Sequence, residues 1–203
     1  MSMQEHWQEA WDGADARAKS WYEAEPAQSL DYVEACAIAR HEAIIDVGGG
    51  ASTLVDALLA RGFDNVTVLD IAQAALQGAQ ARLGDAASRV KWLCGDATAW
   101  QPPHPYRLWH DRAVFHFLTE AADRKRYRAI AEAAIVPGGH LIIATFAEDG
   151  PQQCSGLPVR RYSAQALAQE FAPAFVLEEH CRRTHTTPSG AEQRFQYCRF
   201  LRL

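Results

Sequence analysis

Residues 44–52 read Ile44-Ile45-Asp46-Val47-Gly48-Gly49-Gly50-Ala51-Ser52. A short apolar run that carries an acid leads into three glycines, and the segment 53–59 that follows has the apolar spacing of a helix. This order predicts a β-strand, a tight turn and the beginning of a helix. Glycine lets a ligand approach the backbone closely, and such turns bind nucleotide-type ligands in open α/β sheets. We therefore expect a ligand site here.

The spacing of the glycines narrows the choice of ligand. A dinucleotide fingerprint would use Gly48, Gly50 and a third glycine at position 53, where the sequence has Thr53. The pattern acid-x-Gly-x-Gly-x-small is complete, with Asp46 at its start and Ser52 at its end. It resembles the first motif of class I S-adenosylmethionine (SAM) methyltransferases, whose cofactor carries an ammonium and a sulfonium but no phosphate. The alternative is a glycine-rich strand–helix turn without a ligand.

Two further acids follow strands at matching places. Asp70 ends the predicted second strand, 66–70, twenty residues after Gly50, where a carboxylate can accept both ribose hydroxyls of an adenosine. The alternative for Asp70 is an acid that favours a helix N-terminus. Asp96 follows the predicted third strand, 90–93, and the resemblance implies that it meets the adenine amino group. The resemblance thus implies SAM as cofactor, with S-adenosylhomocysteine (SAH) as product, and these binding residues: Asp46, Gly48, Gly49, Gly50, Asp70, Ile71, Asp96 and Ala97.

The rest of the chain continues the alternation of strands and helices. Strands are predicted at 43–47, 66–70, 90–93, 106–111 and 140–146, with a turn at 137–139 and an ordered loop over 147–158. Two final strands, 175–180 and 192–203, form an antiparallel pair. Together with the resemblance, which extends from about Ala43 to the C-terminus, this predicts an α/β fold: a Rossmann-like, seven-stranded, mostly parallel sheet with an antiparallel C-terminal strand pair and helices on both faces. We expect a single domain over 1–203, in which 1–40 form an N-terminal helical cap or lid.

Composition excludes several classes of function. The chain has 203 residues, 48% of them hydrophobic, and a net charge of −5, so no basic surface for nucleic acid is expected. The longest apolar runs, such as 141–147, are too short to span a membrane, and 1–11 lack a signal-peptide core. Five cysteines without metal spacing favour reduced thiols, and we expect a cytoplasmic protein without a metal site.

Residues after the predicted fourth and fifth strands are candidates for chemistry, because the acceptor should lie beyond these strands. Asp111 and His116 are the candidate catalytic residues, and histidine is the natural general base near neutral pH. The alternatives are a loop-capping acid and a structural histidine. The candidate substrate-binding residues are Trp21, Tyr22, Arg112, Phe115 and Phe146. Arg112 could instead pair with a neighbouring acid, and the two aromatic residues of the N-terminal segment could cap the core.

The acceptor class is open between two resemblances. Residues 109–112, Trp-His-Asp-Arg, resemble the Trp-Asp-Arg segment of the thiopurine and halide/thiol methyltransferases, with His110 inserted. Trp7 and residues 20–22 resemble the start of a group of small lysine methyltransferases. We expect methyl transfer to a small-molecule acceptor such as a thiol or another soft nucleophile. The alternative is a protein lysine methyltransferase. A NAD-dependent oxidoreductase would need the third glycine, which Thr53 replaces in this sequence. A non-catalytic binding module would typically have lost one of the cofactor acids, and all three are present.

Overall fold

The computed structural model describes residues 2–13 and 15–203. Its helices are α1 (Met3–Trp11), α2 (Ala27–Ala35), α3 (Leu54–Ala60), α4 (Gln73–Leu83), α5 (Ala121–Ala134) and α6 (Ala164–Phe171). Its strands are β1 (Ile44–Val47), β2 (Val66–Asp70), β3 (Val90–Cys94), β4 (Tyr106–Arg112), β5 (Ile135–Phe146), β6 (Gln153–Cys154), β7 (Leu157–Pro158), β8 (Phe175–Thr186) and β9 (Glu192–Arg202). Within the described ranges, no helix has the length and apolar character needed to cross a membrane.

Seven of the strands form one sheet, in the order β3-β2-β1-β4-β5-β9-β8. β1 pairs in parallel with both β2 and β4, whereas β9 runs antiparallel to β5 and to β8. The predicted fold class is thereby confirmed, including the C-terminal antiparallel pair. The strand order reverses its direction between β1 and β4, and the carboxyl ends of these strands are the expected place for a ligand in an open α/β sheet.

The two faces of the sheet are covered by different helices. Ile44 of β1 packs in the hydrophobic core formed with α2 and α3, whereas the next residue, Ile45, packs in the core formed with α5 and α6. In β4, Leu108 and Trp109 are divided between the same two cores. Successive side chains of a strand point to opposite faces. The position of a residue along its strand therefore decides which helices it meets.

Two segments differ from their predicted form. The predicted turn at 137–139 lies within β5, because Tyr106 pairs with Ile135 and Leu108 pairs with His140, so the residues between bulge out of the ladder. The predicted loop over 147–158 contains the short hairpin of β6 and β7. The first difference arises from pairing with β4, which is distant in sequence, whereas the second is a local pairing of Cys154 with Leu157 that is too short to show a strand periodicity.

The N-terminal segment forms a helix that lies on the outside of the sheet layers. Ser2 and Glu5 form a capping box at the start of α1, in which each side chain accepts a hydrogen bond from the other's backbone N–H. No residue of α1 is fully buried. The side chain of Gln8 accepts a hydrogen bond from the backbone N–H of Ala74, at 3.3 Å, so α1 lies beside α4.

Candidate active site

The glycine turn after β1 brings the backbone against two carboxylates. Gly48 has φ +69° and Gly50 has φ +20°, values that side chains rarely adopt. A Cβ atom on Gly49 would lie 2.5 Å from Asp46 Oδ2, and one on Gly50 would lie 2.5 Å from Asp70 Oδ2. Any larger residue at either position would displace a carboxylate. Gly49 and Gly50 are therefore required by the acids they touch, whereas a Cβ atom on Gly48 would clash with the side chain of Val114.

Asp70, at the end of β2, is a buried carboxylate with few partners. The residue is 8% exposed, and its Oδ1 accepts a hydrogen bond from the backbone N–H of Ala72 at 2.8 Å. Burial, with the charge of Asp46 in support, raises the pKa of Asp70 to about 7. The backbone hydrogen bonds to the carboxylate thus do not offset the cost of burying its charge in the free protein. A ligand that brings hydroxyl groups would supply further donors.

Asp46 and Asp96 are the other two acids of the predicted cofactor site. Asp46 lies within β1 and is 2% exposed; its Oδ1 is bonded to His110 Nδ1 at 2.7 Å, while its Oδ2 has no hydrogen-bond partner. Asp96 is exposed, and its Oδ1 accepts the backbone N–H and the hydroxyl of Thr98, at 2.7 and 2.8 Å. An unpartnered buried carboxylate oxygen is costly unless a cation or donor meets it.

Two adjoining cavities open around these acids. The first cavity has the sheet-edge residues Asp70, Ile71, Asp96 and Ala97 on one side and the aromatic residues Trp7, Trp11, Trp21 and Phe117 among its other walls. The second cavity is lined by Asp46, Gly48, Gly49, Ser29, His110 and Tyr22, among others. Both cavities share Trp11, Trp21, Gly48 and Arg112. Of the predicted cofactor residues, seven line a cavity, and Gly50 lies behind them against Asp70.

Four aromatic side chains form one cluster, which we call the aromatic wall: Trp7, Trp11, Trp21 and Phe117. Trp7 contacts Phe117 and Trp21 edge-on, with ring centroids 5.1 and 5.7 Å apart, and Trp11 contacts Trp21 at 5.7 Å. Edge-to-face geometry at these separations is favourable. Because three of the four residues precede β1, the N-terminal segment supplies most of the aromatic lining of the first cavity.

Arg112 ties this segment to the sheet. Its Nε donates to the hydroxyl of Tyr197 and its Nη1 to the backbone carbonyl of Trp21, each at 3.0 Å. Its Nη2 lies 3.1 Å from Glu23 Oε1, and the Arg112 side chain is only 11% exposed. The arginine thus pairs with an acid, as the alternative interpretation of the sequence had it, and also lines both cavities.

Comparison with known proteins finds the same fold in several solved structures. A SAM-dependent methyltransferase from Anabaena variabilis has 14% identity, with 100% of this chain and 96% of that chain covered at TM-score 0.76. A Burkholderia thailandensis 1,6-didemethyltoxoflavin-N1-methyltransferase, solved with SAH, has 18% identity, coverage of 98% and 87%, and TM-score 0.76. The structure described for conversion of a disulfide bond into a thioacetal group in echinomycin biosynthesis has 20% identity, coverage of 98% and 93%, and TM-score 0.77.

A family model gives the deciding match. Residues 44–139, which contain the glycine turn and the acids Asp70 and Asp96, match the model described as a methyltransferase domain. Together with the solved structures, this match supports a class I SAM-dependent methyltransferase. A search of curated proteins finds no significant match. The predicted family, enzyme class and cofactor are confirmed.

The lining of the methyltransferase site fits SAM chemically. The unpartnered Asp46 Oδ2 suits an ammonium group, and the Asp70 carboxylate, whose charge is unfavourably buried, suits vicinal hydroxyls that donate to it. Only glycine fits at positions 49 and 50, because a Cβ atom there would clash with the carboxylate of Asp46 or of Asp70. Among the described residues, no group of three or more His, Cys, Asp or Glu side chains is arranged to hold a metal.

Asp111 does not line either cavity of the methyltransferase, and this corrects the pocket role predicted for it. The residue is fully buried and faces α5. Its carboxylate accepts the backbone N–H groups of Val114 and Phe115, at 2.9 and 3.1 Å, and the hydroxyl of Tyr127. Burial nonetheless raises the pKa of Asp111 to about 6. These hydrogen bonds agree with the alternative interpretation, in which Asp111 caps a loop.

His116 and the two predicted substrate phenylalanines are also core residues. Phe115 packs against Tyr127 and Phe171, and Phe146 packs against His116, with all three predicted residues fully buried. Burial and the charge of Arg112 lower the pKa of His116 to about 3. Its Nδ1 accepts the backbone N–H of Phe146 at 3.3 Å, so the ring is neutral. We correct the catalytic role of His116 and the substrate contacts of Phe115 and Phe146.

The depressed pKa of His116 makes stability sensitive to acid. The group is neutral when folded and has an unfolded pKa near 6.5, so its contribution is complete above pH 6.5 and is lost as the pH falls towards 3. At pH 5 this difference in pKa lowers the free energy of unfolding by about 2 kcal/mol. We expect His116→Asn, which keeps an acceptor for Phe146, to lose less stability than the wild type between pH 7 and pH 5. Denaturant unfolding at both pH values measures the difference.

The exposed His41 provides the matched control. His41→Asn should leave the pH dependence of the wild type unchanged. If His116→Asn and the wild type lose the same free energy of unfolding between pH 7 and pH 5, His116 is not a buried neutral histidine.

Four of the cavity residues that were not among the predicted site residues matter most for the site. Trp7, Trp11 and Phe117 complete the aromatic wall, and His110 lies beside Asp46 in the second cavity. The sequence offered one signal for His110, since it stands one position before Asp111 in a strand and must face the opposite side of the sheet. No local signal shows which face carries the site.

Proposed function

We propose that the methyltransferase transfers a methyl group from SAM to a small, largely apolar acceptor with a soft nucleophile such as a thiol. The carrying observation is the first cavity, which the aromatic wall closes and whose lining is mostly apolar. Pockets for small molecules have this composition, with a few polar groups that set orientation. The only titratable groups that line it in the described parts of the chain are Asp70, Asp96, Arg112 and Cys154.

We assign the cofactor contacts as follows. Asp70 accepts the ribose hydroxyls, Asp96 and Ala97 meet the adenine, and Ile71 packs on its ring. Asp46 receives the ammonium of the amino-acid end, while Gly48 and Gly49 allow that end to lie against the backbone. Support comes from the unpartnered Asp46 Oδ2 and from the burial of Asp70, which raises its pKa in the free protein.

Bound SAM supplies a methyl group that its sulfonium has already made electrophilic. The protein must align the acceptor with this methyl group and keep water out of the site. The aromatic wall holds the acceptor next to the cofactor and excludes water, and Arg112 keeps the wall in place through the Trp21 carbonyl. Asp111 and His116 are buried elsewhere, and the two carboxylates that line the cavity, Asp70 and Asp96, are assigned to the cofactor, so no residue is assigned the role of general base. The acceptor must therefore reach the site already ionised, or be nucleophilic while neutral.

The domain organisation follows from the same features. We propose that 1–203 form one methyltransferase domain and that 1–40 act as its lid. The lid contributes Trp7, Trp11, Trp21 and Tyr22 to the cavity walls. A lid of this kind completes the site when it closes and often governs turnover.

The runner-up is a protein lysine methyltransferase. That function calls for an open acidic groove, whereas the aromatic wall covers the first cavity. The Burkholderia thailandensis enzyme acts on a small heterocycle and the echinomycin structure concerns a disulfide. At 18 and 20% identity these likenesses establish the fold alone. The proposal of a small-molecule acceptor therefore rests on the lining of the first cavity.

The test is methyl transfer from isotopically labelled SAM to thiophenol, to phenylmethanethiol and to a lysine-rich peptide, read by mass spectrometry. We expect labelled thioethers and an unlabelled peptide. At saturating SAM, the rate with each thiol should rise with pH through the pKa of that thiol, because the acceptor ionises without a protein base. Asp70→Asn is the control for cofactor-dependent transfer. Label on peptide lysines, with none on either thiol, would overturn the proposal.

A further inference from the structure

His110 lies in a hydrogen-bonded series behind the glycine turn. β1 and β4 pair in parallel with Asp46 opposite His110, so both side chains point to the face covered by α2. His110 Nδ1 is 2.7 Å from Asp46 Oδ1, and Nε2 is 2.9 Å from the hydroxyl oxygen of Ser29 in α2. All three residues are at most 2% exposed. The imidazole is thus held at both ring nitrogens.

This arrangement leaves one oxygen of Asp46 for the cavity. Oδ1 is occupied by His110, while Oδ2 has no partner and lies against Gly49, where a Cβ would approach it to 2.5 Å. Asp46, Gly49 and His110 all line the second cavity. A carboxylate rotates freely about its last bond unless a second group restrains it. His110 is the restraint.

The order Asp–His–Ser is also that of a hydrolytic triad. Ser29, however, is only 1% exposed. A nucleophile must be within reach of the reacting carbonyl, which a hydroxyl this deeply covered is not. The series therefore acts on the orientation of Asp46.

We propose that His110 is a positioning residue that orients the Asp46 carboxylate, so that Oδ2 receives the ammonium of the cofactor's amino-acid end. The proposal rests on the cofactor contacts proposed above and is independent of the acceptor. It predicts a selective effect. Loss of His110 should weaken ligands that carry the amino-acid end and spare ligands that contain only the adenosine.

Calorimetry with two probes tests this prediction. SAH carries the amino-acid end, and 5′-methylthioadenosine lacks it. We expect His110→Leu to weaken SAH about 10- to 100-fold, the range for a lost hydrogen bond to a charged group, and to leave 5′-methylthioadenosine unchanged. His110→Asn should restore most of the SAH affinity, because its amide can donate to Asp46. Binding is measured without acceptor, so failure of the acceptor proposal does not affect the result.

A double-mutant cycle separates positioning from a general structural role. If His110 acts through Asp46, His110→Leu should add no further loss of SAH affinity in the Asp46→Asn background. Additive losses, or equal weakening of both probes, would overturn the proposal, as would an Asn variant as weak as the Leu variant. If His110→Leu does not fold, Ser29→Ala releases only Nε2. Ser29→Ala should weaken the binding of SAH but not that of 5′-methylthioadenosine, and unchanged SAH binding would then overturn the proposal.

Discussion

Replacing Asp70 by Asn is expected to lower the affinity for SAH about 100-fold while stabilising the free protein. Two ribose hydroxyls that donate to a charged acceptor contribute about 1.5 kcal/mol or more each, and Asn cannot replace both bonds. The same carboxylate is unfavourable without ligand, because burial raises its pKa from 3.8 to about 7, a cost on the order of 4 kcal/mol once it ionises. Asn keeps an acceptor for the Ala72 N–H. Calorimetry and thermal unfolding at pH 8 measure both effects.

The sign of the pH dependence follows from the raised pKa. The unfolded carboxyl ionises near pH 3.8 and the folded one near 7, so the contribution of Asp70 to stability is present below 3.8 and is lost as the pH rises through 7. The advantage of Asp70→Asn should therefore be largest above pH 7. The affinity of the wild type for SAH should decrease as the pH falls below 7, because protonation removes an acceptor.

Asp85, an exposed acid with no role in either cavity, is the control. Asp85→Asn should change neither the melting temperature nor SAH binding. An unchanged dissociation constant for Asp70→Asn would show that Asp70 does not contact the cofactor. A lower melting temperature would show that the ionised form is not a cost in the free protein.

Trp21→Ala is expected to reduce turnover of thiophenol about 100-fold, because loss of alignment at the reacting centre has effects of this size. Trp21 lines both cavities, contacts Trp7 and Trp11, and offers its carbonyl to Arg112. It is only half-buried, so we expect a small change in melting temperature. Initial rates at saturating SAM, paired with thermal unfolding, separate the two effects.

Trp92→Ala is the matched control. Trp92 is also half-buried, and its ring N–H donates to the Ala87 carbonyl at 3.0 Å, but it lines neither cavity. Trp92→Ala should lower the melting temperature more than Trp21→Ala does, because it also loses this ring hydrogen bond, and it should leave turnover at low temperature unchanged. If Trp21→Ala behaves like Trp92→Ala, the N-terminal aromatic residues cap the core and do not form a lid.

The cofactor side of the site could be predicted from local sequence. Gly48 and Gly50 need positive φ, and Asp70 and Asp96 follow apolar strands at the expected spacing, so both features are recorded within short segments. Parallel strands of one sheet bring their carboxyl ends to the same edge. The acids therefore lie near one another regardless of how the helices pack.

The acceptor side could not be predicted in the same way. Asp111 and His110 are neighbours in β4, and the alternation of the strand sends one to α5 and the other to the second cavity. His116 lies in a short turn whose direction depends on β5. Sequence proximity to the strand end placed these residues near the site, but it did not say which way they point.

The sequence by itself determined the order of strands and helices, the glycine turn and the three acids, because each depends on backbone propensity and side-chain periodicity within a few residues. Only the tertiary structure decided that Trp7 and Trp11 wall the first cavity and that His110 meets Asp46 and Ser29. These contacts join segments 64 to 81 residues apart in the case of His110. They depend on strand register and on where α1 and α2 pack, which are properties of the whole sheet and its helices.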